Sequence, residues 1–192
     1  MFGLATNELG LCLSVALFFE LLWLDLLPAG TFIPPQLVAA TVACLSLVSR
    51  FGLAEPPLIL VAILASLPLA WLGSTLEYGL RGLRNKSYNR LLNWARTLDP
   101  ADRPGVLAAR SLAVTFSANL TVFFVVLFAL HLLVGFVLEL GREQLLGLPL
   151  TWTQLWLAAS IGGLLALRIK RAYGFLALGA LLVIFFTGSG RF

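Results

Sequence analysis

Long runs of apolar residues, separated by short charged or proline-containing stretches, are the feature that most constrains the fold of this chain. The longest run lies at about 106–138, and others lie at about 58–80, 151–167 and 172–187. These runs lack the two-residue alternation typical of membrane barrel strands. Because a bilayer core offers no water to backbone N–H and C=O groups, such runs must close their hydrogen bonds within helices. The sequence therefore predicts an all-α, polytopic helical membrane protein with about six hydrophobic segments.

The composition of the chain supports the same class of protein. Hydrophobic residues make up 60% of the 192 residues and charged residues only 11%, with a mean hydropathy of +0.97. A soluble domain carries about 25% charged residues. Residues 1–8 include no basic residue and no cleavage pattern follows them, so no signal peptide is expected. We therefore expect a single transmembrane domain that covers residues 1–192.

Positive charge is concentrated in one segment, at about 81–110, which we expect to be a cytoplasmic loop. Its seven basic residues, against two acidic ones, are Arg81, Arg84, Lys86, Arg90, Arg96, Arg103 and Arg110. Basic residues accumulate in cytoplasmic loops of membrane proteins and contact lipid headgroups. Within the loop, residues 86–98 have the pattern of an amphipathic helix that lies on the membrane surface or against a partner. Topology and lipid contact explain the charge, so no nucleic-acid partner is expected.

Two carboxylates, Glu20 and Asp25, lie inside the first apolar run. A charged side chain at the centre of a spanning helix costs about 2.5–3.5 kcal/mol, so both are expected to face protein or a wet cavity rather than lipid. Pro28 predicts the end of this first helix, at about 9–27, because proline has no N–H to donate and disfavours a helical residue before it. Pro34 and Pro35 are well placed to open a second helix at about 36–49.

Two short helices around a proline-broken turn predict a broken or re-entrant pair of helices over residues 9–49. Transporters use such breaks to bring irregular backbone to membrane depth. The alternative is two ordinary spans joined by a tight loop. The sequence leaves both arrangements open.

The same stretch supplies the candidate binding residues. Glu20 and Asp25 are separated on a helix by about 7.5 Å along the axis and about 140° around it, so they cannot line one narrow face. The first backbone N–H groups of the second helix, after Pro35 and at Gln36, have no helical acceptors and can donate to a polar ligand. A sugar would suit this arrangement, with its ring face on Trp23, although Trp23 can equally be a packing residue.

No other residue pattern in the chain indicates covalent chemistry. Cys12 and Cys44 have no paired spacing, and His131 is expected to pack or to bond between helices. Asn119 matches a glycosylation sequon only by spacing, inside an apolar run. No nucleotide-binding, metalloprotease or nucleophile-elbow motif is present. We expect no catalytic residue, no metal and no cofactor, which favours a conduit or binding subunit over a self-contained enzyme.

Two parts of residues 17–50 resemble a known family. Leu-Phe-Phe-Glu20-Leu-Leu, followed by Pro34-Pro35-Gln36-Leu-Val-Ala-Ala, resembles the membrane component IIC of mannose/fructose/sorbose-type sugar phosphotransferase systems. That family carries a glutamate-containing helix, a glycine-rich turn and a proline-aspartate helix start at this spacing. The segment 86–98 and the Gly162-Gly163 region are similar in placement. The family carries a further helix before this stretch, so the resemblance implies a short, N-terminally truncated form.

The resemblance implies a sugar permease subunit in the bacterial inner (cytoplasmic) membrane, with several passes. It would act with a second membrane subunit, IID, as part of an oligomer, and soluble IIAB-type proteins would phosphorylate the sugar. The implied substrate-binding residues are Glu20, Trp23, Asp25, Pro35 and Gln36. Gln36 stands where the family has aspartate. The alternative is a degenerate IIC-like regulatory or scaffold subunit without transport.

Overall fold

A computed structural model of the chain describes residues 9–24, 32–97, 104–166 and 174, and within these ranges the protein is all-helical. The helices are α1 (Leu9–Leu22), α2 (Leu37–Phe51), α3 (Pro56–Thr97), α4 (Pro104–Leu146) and α5 (Trp152–Ala166). The described residues contain no β-strand. The prediction of an all-α fold is confirmed for this part of the chain. The predicted sixth segment, 172–187, lies outside the described residues apart from Gly174.

The bounds of α2 and α5 agree closely with those predicted from the prolines and the apolar runs, and α1 is shorter than predicted. α2 and α5 begin and end within two residues of the predicted 36–49 and 151–167. α1 ends at Leu22 rather than at about residue 27, and the Trp23 N–H donates to the Phe19 carbonyl at 3.1 Å to close its last turn. Asp25 and Pro28 lie outside the described residues.

The two longest helices extend beyond the predicted limits, which corrects two predicted loops. α3 continues past Gly82 to Thr97, so the segment predicted as a basic loop is helical at 81–97 and again from Pro104 onward. Residues 86–97 are therefore a continuation of α3 rather than a separate amphipathic helix. No proline or glycine occurs between residues 83 and 97 to end the helix. The end of the apolar run at about 138 also predicts an outer loop at 139–150, but α4 runs to Leu146, through most of that segment.

Two helical segments in the described part of the chain are long and apolar enough to cross a membrane, Pro56–Gly82 and Ala108–Leu146. Only 11% of the most apolar part of the second segment is buried. Its Leu112, Phe116 and Phe128 side chains are 73%, 66% and 67% exposed. A helix at the core of a soluble protein would bury these side chains, whereas a helix that faces lipid leaves them at the surface.

Contacts divide the chain into two compact units. The first unit contains α1 and α5, and the second contains α2, α3 and α4. A single transmembrane domain over residues 1–192 stays a prediction. The two units are described in turn.

The first unit is held together by a close crossing of α1 and α5. A β-carbon added at Gly163 would lie 2.6 Å from the Leu21 carbonyl oxygen, so the two backbones approach closely at this point. The Trp156 indole N–H donates to the Ser14 carbonyl at 3.2 Å. Small residues allow apolar helices to pack at this distance. The sequence Gly162-Gly163 therefore has a packing role in this unit.

In the second unit, α3 packs against both α2 and α4. The buried side chains of α2 include Ala40, Ala43, Cys44 and Leu47, and those of α3 include Ile59, Ala62, Ile63 and Ser66. At the far end of α2, the Phe51 ring lies 6.0 Å from the ring of His131 in α4. His131 Nδ1 donates to the Leu127 carbonyl at 2.9 Å. His131 is thus a packing residue, and its hydrogen bond to Leu127 stays within α4.

Candidate functional site

The non-helical stretch 32–36 is attached to α3 by its last residue, Gln36. The Gln36 backbone N–H donates to the Ala70 carbonyl at 3.0 Å, and the Gln36 Nε2 donates to the Gly73 carbonyl at 3.3 Å. A β-carbon at Gly73 would lie 2.5 Å from Gln36 Oε1. Only glycine at position 73 therefore leaves room for the carboxamide in this position.

This attachment lies at the middle of a candidate membrane span. Ala70 and Gly73 are near the centre of Pro56–Gly82. α2 starts there and, with 15 residues and a length of about 22 Å, returns toward the start of α3. A full crossing needs about 20 residues. α2 therefore has the length and position of a half-helix, which favours the broken-helix interpretation over two ordinary spans.

The backbone N–H groups at the start of α2 are only partly available for a ligand. The Gln36 N–H bonds to Ala70, and the Leu37 N–H donates to the Pro35 carbonyl at 2.9 Å. Among the described residues, the N–H groups of Val38 and Ala39 have no backbone acceptor. The prediction that these first amides would face a ligand therefore applies to two positions, whereas Gln36 itself serves to hold the stretch on α3.

The five residues predicted to bind substrate fall into separate parts of the chain. Pro35 and Gln36 are adjacent at the start of α2, in the second unit. Glu20 and Trp23 belong to the first unit, where the Trp23 ring stacks on the Phe19 ring at a centroid distance of 5.6 Å. This contact gives Trp23 a packing role, and its role as a sugar platform stays a prediction. Asp25 lies outside the described residues.

Glu20 lies on the exposed side of α1. Three exposed leucines share this side at helical spacing, namely Leu9, Leu13 and Leu17. The carboxylate is therefore not enclosed by the described part of the chain, although it was expected to face protein or a wet cavity. In a membrane, water or a second protein must reach a carboxylate in this position.

Three cavities lined by described residues of the second unit differ in their chemistry. One of about 360 Å³ lies beside the broken stretch, between Phe32 and Tyr78. A groove of about 470 Å³ separates the start of α2 from α4 and is almost entirely apolar, with Asn119 as one of its few polar residues. The third, of about 610 Å³, lies at the end of α4 and is lined by charged residues that include Glu139 and Arg142. All three have volumes in the range of small-molecule sites.

Sequence reasoning missed Gly73 and the hydroxyl-bearing residues that follow it. Ser74, Thr75 and Tyr78 line the cavity beside the broken stretch. The available signal was a cluster of three hydroxyl side chains within one turn and a half of an apolar helix. This signal is weak because Ser and Thr hydroxyls in helices commonly bond to carbonyls of their own helix.

Residues 9–24, 32–97 and 104–166 contain no group of three His, Cys, Asp or Glu side chains that could hold a metal ion. The geometry thus defines a helical protein with two candidate spans and a proline-broken stretch attached to the middle of one of them. No protein-family profile, curated protein or solved structure is significantly similar to the chain.

Proposed function

We propose that the chain is the membrane component IIC of a mannose/fructose/sorbose-type phosphotransferase system, a permease subunit that translocates a hexose for phosphorylation by soluble partners. The observation that carries the proposal is the attachment of the non-helical stretch 32–36 to Ala70 and Gly73, at the middle of a candidate span. Transporters place discontinuous helices at this depth, because the ends of half-helices supply polar groups to a substrate where intact helices cannot. The resemblance of residues 17–50 to the IIC family agrees with this arrangement.

The proposal requires several passes through the bacterial inner membrane. Membranes from cells that produce the full chain, washed with alkaline carbonate, should retain it in the pellet, because its exposed apolar side chains have no stable place in water. The IIAB-type proteins that we expect as partners serve as the control, since they should be released. Release of the chain with them would contradict the membrane assignment.

The exposed face of α1 supports a membrane partner. A carboxylate at Glu20, beside exposed Leu13 and Leu17, needs a polar or protein environment within a bilayer. A IID-like subunit on this face would enclose the carboxylate and complete a sugar site. The phosphoryl groups would travel on IIAB-type proteins, so the chain itself needs no nucleophile.

Glu20→Gln should weaken hexose binding at least tenfold, about 1.4 kcal/mol, because the neutral amide loses a charge-assisted hydrogen bond to a sugar hydroxyl. The measurement is equilibrium binding of radiolabelled D-mannose, D-fructose and L-sorbose to the chain purified with its IID-like partner. Glu143→Gln is the matched control, since Glu143 is an exposed acid on α4. Equal affinities for the two variants would remove Glu20 from the site.

A second candidate function is a IIC-like regulatory or scaffold subunit without transport. It is favoured by Gln36, whose carboxamide is bonded to Gly73 and replaces the aspartate of the IIC family with a structural contact. A neighbouring reading frame for a IID-like protein, together with genes for soluble phosphotransfer proteins, would favour transport. Their absence, and a complex that binds none of the three sugars, would favour the scaffold.

A further inference from the structure

A cavity of about 360 Å³ beside the broken stretch has the chemistry of a site for a neutral polyhydroxyl ligand. Phe32 and Ile33 line it from the stretch, and Ser74, Thr75 and Tyr78 line it from α3. No charged side chain of the described residues is among its lining. Gln36, the residue that fixes the stretch on α3, bonds to Gly73 immediately before Ser74. The hydrogen bond between Gln36 and Gly73 thus joins the two walls of the cavity, the stretch and α3.

The hydroxyl oxygens in this cavity can accept hydrogen bonds from a ligand. The Ser74 and Thr75 hydroxyls both donate to the Trp71 carbonyl at 2.9 Å, so each proton is used and each oxygen can still accept. The Tyr78 hydroxyl can both donate and accept, and its side chain is 73% exposed. A sugar presents several O–H donors to such oxygens.

Aromatic surface completes the match to a sugar. The rings of Phe32 and Tyr78 are exposed, at 48% and 73%, and both line the cavity. An aromatic face suits the C–H face of a sugar ring, which is apolar while the ring edge is polar. The groove at the start of α2 and the cavity at the end of α4 lack this combination, since the first is almost wholly apolar and the second is lined by Glu139, Arg142 and Glu143.

We propose that Ser74, Thr75 and Tyr78, together with Phe32, form a hexose subsite at the edge of the broken stretch. The inference rests on the proposed function, because it names the substrate contacts that α3 would contribute to a sugar permease. A hexose placed here contacts the stretch and α3 together, so its binding depends on the contact between Gln36 and Gly73 that holds these two walls in position.

Isosteric variants test the subsite without removing bulk. Thr75→Val and Tyr78→Phe should each weaken the binding of radiolabelled D-mannose or D-fructose about two- to tenfold, the value of one hydrogen bond, and the double variant should lose more. The matched controls are Thr121→Val on α4 and Tyr88→Phe on α3, which are exposed residues away from the cavity lining. The controls should bind like the unmodified protein.

A second readout does not depend on affinity. Thr75→Cys in a Cys12→Ser chain should react with a membrane-impermeant maleimide, and saturating D-mannose or D-fructose should slow the reaction several-fold. Cys44 is fully buried and needs no replacement. Failure to label Thr75→Cys, or labelling that neither sugar slows, would overturn the subsite.

The outcomes separate the subsite from the proposed function. If the unmodified complex binds hexose and the cavity variants match their controls, the subsite is wrong and the permease proposal stands. If the unmodified complex binds neither sugar, both proposals fall. A loss confined to Thr75→Val and Tyr78→Phe, with sugar protection of Thr75→Cys, supports both.

Discussion

Gly163→Ala is expected to be the most destabilising conservative change in the first unit, lowering the free energy of unfolding by about 2 kcal/mol and Tm by roughly 4–8 °C. The added β-carbon would lie 2.6 Å from the Leu21 carbonyl oxygen and 3.3 Å from that of Leu22. Both neighbours are backbone atoms, so neither can move aside by a change of rotamer. The α1–α5 crossing must open instead, which weakens the Trp156 to Ser14 hydrogen bond.

Gly162→Ala is the matched control for this prediction. Its β-carbon would approach only the Leu22 Cδ1 atom, at 2.9 Å, which is the end of a flexible side chain. A rotation of that side chain relieves the contact, so its effect should be less than half that of Gly163→Ala. Thermal unfolding of both variants in detergent measures the difference. Equal Tm values for the two variants would show that α1 and α5 do not cross at Gly163.

The fold is predictable from the sequence where one strong local signal sets a boundary. Pro34 and Pro35 precede the start of α2, and Gly52 ends it with a left-handed φ of 58°. The ends of α3 and α4 do not follow the apolar runs, because the charged residues that end each run do not end the helix. Arg84, Lys86 and Arg90 are good helix formers. A helix can therefore continue through a charged segment as long as no proline or glycine interrupts it. Charged residues indicate where a chain leaves the membrane, but they do not indicate where its helix ends.

The candidate site is less predictable because it depends on contacts between distant residues. The non-helical stretch 32–36 follows from Pro34 and Pro35, but nothing local indicates that Gln36 bonds to Ala70 and Gly73, thirty-four and thirty-seven residues later. The sequence alone allows Trp23 to be a ligand platform or a packing residue, and only the structure shows its stack on Phe19. Gly73 is one of 17 glycines, and only the position of the Gln36 side chain distinguishes it.

Gly73→Ala is the second change with a large expected effect, and it acts on binding more than on stability. The added β-carbon would meet the Gln36 side chain at 2.5–3.0 Å, so the carboxamide must leave the Gly73 carbonyl. The loss of one hydrogen bond costs about 1 kcal/mol of stability. The Gln36 N–H bond to Ala70 would remain, but the displaced carboxamide would shift the stretch and deform the cavity wall, and we expect hexose affinity to fall at least tenfold, about 1.4 kcal/mol.

Gly79→Ala is the control on the same helix, because a β-carbon there meets nothing within 4 Å. It should leave both stability and hexose affinity unchanged or slightly improved, since alanine favours helix. Equal binding by the Gly73→Ala and Gly79→Ala variants would show that the contact between Gln36 and Gly73 does not support the site.

A double-mutant cycle identifies the mechanism of the Gly73 effect. Gln36→Ala removes the side chain that the new β-carbon would strike, so adding Gly73→Ala to it should cost almost nothing further. The two changes should therefore be strongly non-additive, by about 1 kcal/mol in unfolding free energy, as expected for residues in direct contact. Additive effects would mean that Gly73 acts on α3 alone. Non-additivity in hexose binding as well would tie the broken stretch, through one carboxamide, to the function proposed for the chain.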